Sequence, residues 1–297
     1  MTSPNRTPAR RSKPKKRRSP RFFPTAALLV AALCVCIRIM ESHTDKPQTD
    51  PYGLVEPVSS AVLLPSPDTA LTKPFGDGAK GMIEAFAKQN GLSVSAYPQE
   101  LVELLDRNKD TTDFVLHYPL KKNNVYTIDL SAVVPCSSVP RLYQWDERWG
   151  YTTYSGELMG LSGCGPTCLS MAAIYLRQDA KYDPRYVADF STENGYAVSG
   201  SGSAWDLMTV GARGLGLTSE ALPLSEEQMK KALESGKLVI CIMGPGVFTT
   251  GGHFILFVGY EDGKFIVNDP NSPTRSEKRW GFDEFGDQIR NLWAIGR

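Results

Sequence analysis

The sequence predicts an α+β domain over residues 140–297, with one longer helix followed by alternating helices and strands. Two patterns support this class. The segment PTCLSMAAIYLRQ (residues 166–178) has helical propensity and begins with Pro166, which a helix tolerates in its first turn because that N–H has no partner there. The segments LVICIMGPG, HFILFVGY and KFIVNDP are short and rich in Ile, Val and Phe, as successive strands are.

A shorter helical accessory segment is expected over residues 76–131. Within it, PQELVELLDRN has a proline at the helix start and places Leu101, Leu104 and Leu105 on one face. The stretch DTTDFVLHYP indicates a second short helix that ends at its proline. No cluster of reactive groups occurs here, so this segment is expected to pack against the following domain or to cover part of it. With 297 residues and 41% hydrophobic content, the chain can form one domain-sized core with such an addition.

The N-terminal 40 residues have the pattern of a membrane-targeting segment. Nine of the 33 Lys and Arg residues lie in residues 1–21, which contain no acid; the rest of the chain has 24 basic and 32 acidic residues, a net charge of −8. An apolar run, TAALLVAALCVCI, follows and extends to Met40 apart from Arg38. Positive charge before a short apolar segment predicts a basic cytoplasmic tail over residues 1–21 and a signal anchor or signal peptide over residues 22–40.

Two outcomes for this segment stay open. Residues 41–45 offer no small-x-small cleavage pattern, which favours an uncleaved single-pass anchor in the cell membrane; if the segment is cleaved, the protein is secreted. In either case the folded part is expected outside the cytoplasm, after a flexible linker over residues 41–75. The run KPKKRR (residues 13–18) also suits a nuclear localisation signal or nucleic-acid-binding arm, but the apolar run after it argues against a nucleic-acid partner.

The stretch LSGCGPTCLSM places two of the six cysteines of the chain four residues apart. Cys164 lies just ahead of the predicted helix N-terminus, and Cys168 lies one turn inside it. Because the helix dipole and unpaired N–H groups favour an anion at the N-terminus, Cys164 is the better candidate for a reactive thiolate. Gly163 and Gly165 leave the backbone on either side of it open to a substrate. Cys168 and Cys241 fit the usual role of cysteine as a small buried apolar residue.

A nucleophilic cysteine needs a base, and the chain has three histidines. His43 lies in the predicted linker, and His117 lies at a predicted helix end. His253 alone combines a strand end, preceding glycines that give access (Gly252 and its neighbour), and an apolar strand that holds the ring in place. A base in turn needs an orienting group. Asp269 follows sixteen positions later, across a predicted hairpin.

Strand parity sets a condition on this pair. A regular hairpin with a two-residue turn at residues 262–263 would place Asp269 opposite Leu256, on the other face of the sheet from His253. A three-residue loop, or an equivalent one-residue bulge, would place Asp269 opposite Ile255, diagonal to His253 and within its reach. We therefore predict such a loop or bulge between the two residues.

The sequence gives less support to other roles for the cysteines. Cys164 and Cys168 could form half of a zinc site, but no further His or Cys motif completes it, so neither a metal nor another cofactor is expected. An exported domain could also contain a disulfide. A nucleophilic Cys164 must stay free, however, and the other cysteines after the linker then form no even set.

Three blocks in this order, SGCGPTCLSM, GHFILFVGY and IVNDPNS, closely resemble the C39-like cysteine peptidases, relatives of the bacteriocin-processing double-glycine peptidases within the papain-like superfamily. The resemblance covers roughly residues 141–293. It implies a papain-like cysteine peptidase fold, in which a helix bearing the cysteine packs on an antiparallel sheet bearing the histidine and the aspartate. It also implies Cys164 as nucleophile, His253 as base and Asp269 as orienting group. Gln144, in QWDERWG, then corresponds to the glutamine that stabilises the oxyanion in that family.

This resemblance implies hydrolysis of peptide or amide bonds by acyl transfer, with a peptide or protein as substrate. Unlike the bacteriocin processors, the chain has no phosphate-binding GxxxxGK[ST] loop, and its catalytic part is expected outside the cytoplasm, so the particular substrate stays open. The loop VSGSGSAWDL, which contains Trp205, is either a wall of the substrate groove or a plain turn before the next helix.

Two other functions remain open. One is a cell-wall amidase or endopeptidase that acts on peptidoglycan with Cys–His chemistry; the GCGPT context favours the peptidase instead. The other is a catalytically idle binding domain on the same scaffold. The intact set of Cys, His and Asp argues against it.

Overall fold

The structure is a computed structural model that describes residues 78–297. The predicted cytoplasmic tail (1–21), signal anchor or signal peptide (22–40) and linker (41–75) lie outside the described residues. Within residues 78–297, no helix is long and apolar enough to cross a membrane.

Helices and antiparallel strands alternate through this part of the chain. Its nine α-helices are α1 (Ala79–Asn90), α2 (Gln99–Arg107), α3 (Thr112–Lys121), α4 (Met159–Ser162), α5 (Cys164–Arg177), α6 (Pro184–Glu193), α7 (Val210–Gly214), α8 (Glu226–Glu234) and α9 (Pro273–Glu277). Its strands are β1 (Thr153–Tyr154), β2 (Glu157–Leu158), β3 (Ala197–Val198), β4 (Gly202–Ser203), β5 (Thr218–Ala221), β6 (Leu238–Met243), β7 (His253–Glu261), β8 (Lys264–Asn268), β9 (Arg279–Trp280) and β10 (Ile289–Gly296). Six of these strands form an antiparallel sheet in the order β5-β10-β6-β7-β8-β9. The predicted α+β class is confirmed.

The central strands are buried on both faces of the sheet, which explains their continuous apolar sequence. Every residue of β6 is buried, and so are the first five residues of β7. On one face α5 packs against the sheet beside Phe254, Leu256 and Trp293. On the other face α8 packs over Ile255 and Phe257. A strand with two buried faces lacks the alternation of a half-exposed strand.

Helix α5 lies between the sheet and α6 and begins two residues earlier than the sequence predicts. Its first residue is Cys164, which follows the N-cap residue Gly163. Pro166 is thus the third helical residue rather than the first, a position where the N–H still has no intrahelical partner. Eleven of the 14 residues of α5 are buried, so the helix forms the centre of the main core.

The accessory part contains three helices, of which the sequence patterns indicate two. They do not indicate α1, because its buried residues are Ala79, Ile83 and Ala87, and two alanines make a weak apolar pattern. Helix α3 continues through Pro119 to Lys121, contrary to the prediction that it ends at the proline. The N–H that proline lacks would have formed one bond near the end of α3, so the loss is confined to the last turns.

These helices share a core of their own, which also packs against the part of the chain after residue 140. Leu101, Leu105 and Phe114 are among its buried residues, together with Tyr151, which lies later in the chain. The Tyr151 hydroxyl donates to the Phe114 carbonyl at 2.7 Å, and the two rings stack. The Phe114 ring also lies so close to Gly160 that a Cβ there would collide with it. The accessory helices therefore reach the turn that precedes the α5 cysteine.

The β7–β8 hairpin has a regular two-residue turn. Asp262 and Gly263 form this turn with φ of 51° and 76°, the left-handed conformation that such turns require at both central positions. Glu261 and Lys264 pair directly on either side of it. The alternative of a three-residue loop is therefore wrong.

A bulge in β7 changes which residues of β7 and β8 lie opposite each other, and therefore which of them share a face of the sheet. The register shifts between Phe257 and Gly259, which leaves Val258 as the extra residue. Every pair beyond the bulge is displaced by one residue, so Asp269 comes to the side of the sheet that carries His253. The one-residue bulge predicted between His253 and Asp269 is confirmed.

Candidate active site

Cys164 is half-buried at the first position of α5. Its thiol interacts with the His253 side chain and with the backbone of Phe254 and Gly165. Burial acts to raise the pKa of this thiol, but the hydrogen bond and charge of His253, together with the two backbone bonds, hold the pKa below its ordinary value. The structure therefore favours a thiolate at Cys164.

His253 is buried at the first position of β7. Its Nε2 lies 2.8 Å from Asp269 Oδ1, which leaves Nδ1 for the contact with the Cys164 thiol. Burial alone would lower the pKa of the imidazole. The Asp269 carboxylate, with a smaller contribution from Cys164, instead raises the pKa from 6.5 to about 10. The imidazolium is thus favoured beside the thiolate.

Asp269 directly follows β8 and is only 1% exposed, yet both of its carboxylate oxygens have partners. Oδ1 accepts hydrogen bonds from His253 Nε2 and from the Asn271 N–H, each at 2.8 Å, and Oδ2 accepts one from Arg275 Nε at 2.5 Å. Burial acts to raise the pKa of this carboxyl, but the charges and hydrogen bonds of His253 and Arg275 hold the pKa below its ordinary value. The carboxylate therefore stays ionised while buried.

Arg275 belongs to this site, although the sequence patterns do not indicate it. The Ser272 side chain caps α9 by accepting from the Arg275 N–H, and Pro273 opens the helix. The pair Ser-Pro is a recognisable helix start, so the helix itself could have been predicted. The direction of the Arg275 side chain could not, because it depends on where the carboxylate of Asp269 lies in the folded chain.

Gln144 is buried beside the turn that leads to α5. Its backbone N–H donates to Pro270 O at 2.8 Å, and its side-chain Nε2 donates to Gly160 O at 2.9 Å and to Leu161 O at 3.2 Å. Its Oε1 is buried without a hydrogen-bond partner among the described residues. The fold thus brings Gln144 to the residues that precede Cys164, but its side-chain nitrogen already donates to two carbonyl groups there.

A cleft of about 620 Å³ opens at Cys164, and its lining includes Trp205 and Gly252, two of the residues that the sequence analysis expects to bind the substrate. Trp205 begins a short 3₁₀ helix (Trp205–Met208), and its side chain is 47% exposed while its ring packs edge-on against Trp293. Further lining residues are Glu157, Gly202, Phe254 and Arg290.

Gly163 and Gly165 are not among the residues that line this cleft. Both are buried. A Cβ on Gly163 would lie 2.5 Å from Met159 Cγ, and one on Gly165 would lie 2.8 Å from Ser203 Cβ. These glycines allow close packing around the start of α5, in contrast to the open approach that the sequence suggests.

The other cysteines after the linker are also free thiols: Cys136, Cys168 and Cys241. Cys168 and Cys241 are fully buried in the core, and burial raises the pKa of each well above its ordinary value. This agrees with their predicted role as apolar core residues. In residues 78–297 no group of three or more His, Cys, Asp or Glu side chains is placed to hold a metal ion.

Comparisons with known proteins find one matching family and several similar solved structures. The Peptidase_C39 like family matches residues 136–295, just over half of the chain. A protein described as a C39-like peptidase from Bacillus anthracis has 15% identity to this chain, covers 55% of this chain and 97% of its own, and gives a TM-score of 0.38. The solved structure of the peptidase domain of Streptococcus ComA, a bifunctional ABC transporter involved in a quorum-sensing pathway, has 16% identity to this chain. The match covers 46% of this chain and 91% of the ComA domain, with a TM-score of 0.34. No curated protein matches the chain.

A thiol in contact with a histidine that a carboxylate orients is typical of cysteine-dependent hydrolases. Among cysteine-dependent hydrolases, the family match identifies the particular group to which this chain belongs. The chain belongs to the C39-like peptidase family, and it is a cysteine peptidase.

Proposed function

We propose that this peptidase cleaves peptide bonds by acyl transfer, with Cys164 as nucleophile, His253 as general acid and base, and Asp269 as the group that orients His253. The observation that carries the proposal is the continuous line of contacts from the thiol through the imidazole to the carboxylate, which accepts from Nε2 at 2.8 Å. The lowered pKa of the thiol and the raised pKa of the imidazole support a thiolate–imidazolium pair as the resting state.

In the first half of the reaction, the Cys164 thiolate attacks the carbonyl carbon of the scissile bond and forms a tetrahedral oxyanion. When this intermediate collapses, the C–N bond breaks and His253 gives its proton to the leaving amine. In the second half, a water molecule attacks the thioester carbonyl while His253 takes a proton from this water. The C–S bond then breaks, which releases the carboxylic acid product and restores the Cys164 thiolate. Asp269 keeps its hydrogen bond to Nε2 throughout and stabilises the imidazolium.

For the oxyanion we propose two donors, the backbone N–H of Cys164 and the side-chain N–H of Gln144. The first lies at the positive end of α5, where a helical N–H has no intrahelical partner. The second requires Gln144 to exchange its longer hydrogen bond, to Leu161 O at 3.2 Å, for one to the oxyanion while it keeps Gly160 O at 2.9 Å. A charge-assisted bond is stronger than the neutral one it replaces, so this exchange is favourable in the transition state.

As substrate we propose an extended peptide or protein segment that lies in the cleft. Gly202 and Gly252 bring bare backbone to its walls, which suits hydrogen bonding to a peptide main chain, and the exposed Trp205 ring offers an apolar surface. Glu157 and Arg290 add one charge of each sign to the lining. Charged side chains near the scissile bond should therefore influence which peptides are cut.

We further propose that the peptidase domain is held outside the cytoplasm by a single membrane segment. The support is the sequence pattern of residues 1–40, in which a basic stretch precedes an apolar run. Protease added to intact cells should digest the domain and leave the basic tail protected. The opposite protection pattern would contradict this topology, and recovery of the domain from the medium would indicate a cleaved signal peptide.

Thiol labelling combined with a peptide-library digest tests the chemistry. An iodoacetamide-type probe at neutral pH should label Cys164 selectively, and the label should disappear in Cys164→Ala and drop sharply in His253→Ala. Cys168→Ala is the matched control and should label like wild type. Equal labelling of the two cysteines would remove the case for an activated thiolate. Cleavage of peptidoglycan fragments but of no library peptide would favour the cell-wall alternative.

A further inference from the structure

The accessory helices contact the loop that carries the proposed orienting carboxylate. Asn108, directly after α2, donates from Nδ2 to the Asn271 carbonyl at 2.6 Å and to the Asn271 Oδ1 at 3.2 Å. Trp145 Nε1 donates to the same carbonyl at 3.2 Å. The next residue, Ser272, donates from its hydroxyl to Asp110 Oδ2 at 3.4 Å. The β8–α9 loop is thus hydrogen-bonded to a segment more than 150 positions away in the chain.

Asn271 also makes a direct hydrogen bond to the proposed triad. Its backbone N–H donates at 2.8 Å to Asp269 Oδ1, the same oxygen that accepts from His253 Nε2 at 2.8 Å. The N–H and the carbonyl of Asn271 belong to two peptide planes joined at one Cα, so a displacement of the carbonyl changes the position of the N–H through the Asn271 φ and ψ angles. The restraint from Asn108 therefore reaches the oxygen that orients the histidine.

The amide of Asn108 is itself held in one orientation. It is the N-cap of a 3₁₀ turn (Lys109–Thr111), and its Oδ1 accepts from the Asp110 N–H at 3.1 Å. Because the oxygen side faces its own turn, the NH₂ side must face Asn271. Side-chain rotation would break the cap and the contact with Asn271 together.

We propose that Asn108 is a positioning residue for Asp269, and that the accessory helices form part of the active site instead of merely covering it. This inference rests on the proposed function, in which Asp269 orients His253. Asn108 lies outside residues 136–295, the part of the chain that the family matches. The Asn108 contact therefore comes from the accessory helices and not from the part that matches the family. Loss of the Asn108 contact should leave the fold intact and allow the carboxylate to move away from its best geometry.

Two substitutions in the full chain separate the donor from the cap. Asn108→Asp and Asn108→Ser both keep an oxygen for the Asp110 N–H and both remove the NH₂ donor to Asn271. Each should lower kcat for a cleaved peptide by roughly fivefold, with KM changed by less than about twofold, as expected when one positioning hydrogen bond is lost. The alkylation rate of Cys164 at neutral pH should fall in parallel. Agreement between the two variants excludes the added charge as the cause.

The matched control is Asn90→Ser, which removes a comparable Asn hydrogen bond, to Phe86 O at 2.9 Å, from the same accessory segment. It should leave kcat and alkylation unchanged. Trp145→Phe removes the second donor to the Asn271 carbonyl from within the peptidase domain and should reproduce the kcat loss, even where an Asn108 variant is too unstable to assay.

Two outcomes distinguish the possible failures. If Asp269→Ala lowers activity and the Asn108 variants keep wild-type kcat while folded, the positioning role is wrong and the triad stands. If Asp269→Ala retains wild-type activity, the proposed function fails, and the positioning role fails with it. A kcat loss that only follows the unfolded fraction, measured by thermal denaturation, would also overturn the positioning role.

Discussion

The first and second turns of α5 each carry a cysteine, and the pKa values of the two thiols shift in opposite directions. Burial acts to raise the pKa of both thiols, yet the pKa of Cys164 lies below its ordinary value and that of Cys168 well above it. The difference therefore comes from their partners. Cys164 contacts His253 and accepts hydrogen bonds from backbone N–H groups, whereas Cys168 donates its S–H to Phe254 O at 3.4 Å.

The backbone of Phe254, in β7, interacts with the sulfurs of both Cys164 and Cys168 through different groups. The N–H of Phe254 favours the thiolate of Cys164, and its carbonyl favours the protonated thiol of Cys168. The histidine next to Phe254 reaches only the first turn. The reactivity of a cysteine on α5 thus depends on which backbone group faces its sulfur and on whether its helical turn places the sulfur beside the imidazole of His253.

The largest effect should come from removing the thiol of the first turn. Cys164→Ser should lower kcat by roughly 10³-fold or more, because a hydroxyl does not form the ion pair with His253. Cys168 should not take over, since its pKa is raised and its S–H is engaged. Peptide hydrolysis by the folded variant measures this, and near-wild-type turnover would show that the nucleophile lies elsewhere.

A smaller but still large effect should come from removing the carboxylate. Asp269→Ala should lower kcat by roughly 10²-fold, because the imidazole loses its orienting partner and the pKa of His253 falls. Cys164 should then be alkylated more slowly, which narrows the difference between the two thiols. Asp269→Asn keeps an oxygen that can accept from Nε2 and should lose less activity. An Asn variant that is as slow as the Ala variant would mean that charge, not orientation, matters.

The sequence indicates all three residues of the proposed triad for identifiable reasons. A glycine-flanked cysteine at a helix start, a scarcity of histidines and an aspartate across a hairpin all leave traces in local sequence. Parity even predicted that the hairpin must contain an irregularity, although it did not distinguish a longer turn from the bulge at Val258.

The partners of Asp269 could not be predicted in the same way. Arg275 and Asn271 contact its carboxylate, and Asn108 contacts Asn271 from a different part of the chain. Their side-chain directions depend on how the loop and the accessory helices pack. Gly163 and Gly165 differ from the sequence expectation for a related reason, because the sequence does not distinguish a glycine that leaves room for a substrate from one that leaves room for a neighbouring side chain.

Peptidase activity should depend on pH through the protonation of Cys164 and His253, whereas the pKa of Cys168 is raised well above its ordinary value. Activity should fall at low pH as Cys164 is protonated, with that limb below the ordinary pKa of a thiol. It should fall again at high pH as His253 loses its proton near pH 10, since the raised pKa keeps the imidazolium up to that point. Measurements of kcat/KM and of the two alkylation rates against pH check this. An acid limb above the ordinary thiol pKa would contradict the ion pair.

The smallest effect on activity should come from the second turn. Cys168→Ala removes a fully buried sulfur and its bond to the Phe254 carbonyl, so the free energy of unfolding should fall by about 1–2 kcal/mol. Turnover should stay within about twofold of wild type, because the partners of Cys164 are unchanged and only the carbonyl of Phe254 loses a donor. Urea denaturation gives the stability, and the peptide assay on the same preparation gives kcat. If activity instead fell more than tenfold while the protein stayed folded, the thiol of the second turn would belong to the chemistry, and the division between the two turns of α5 would be wrong.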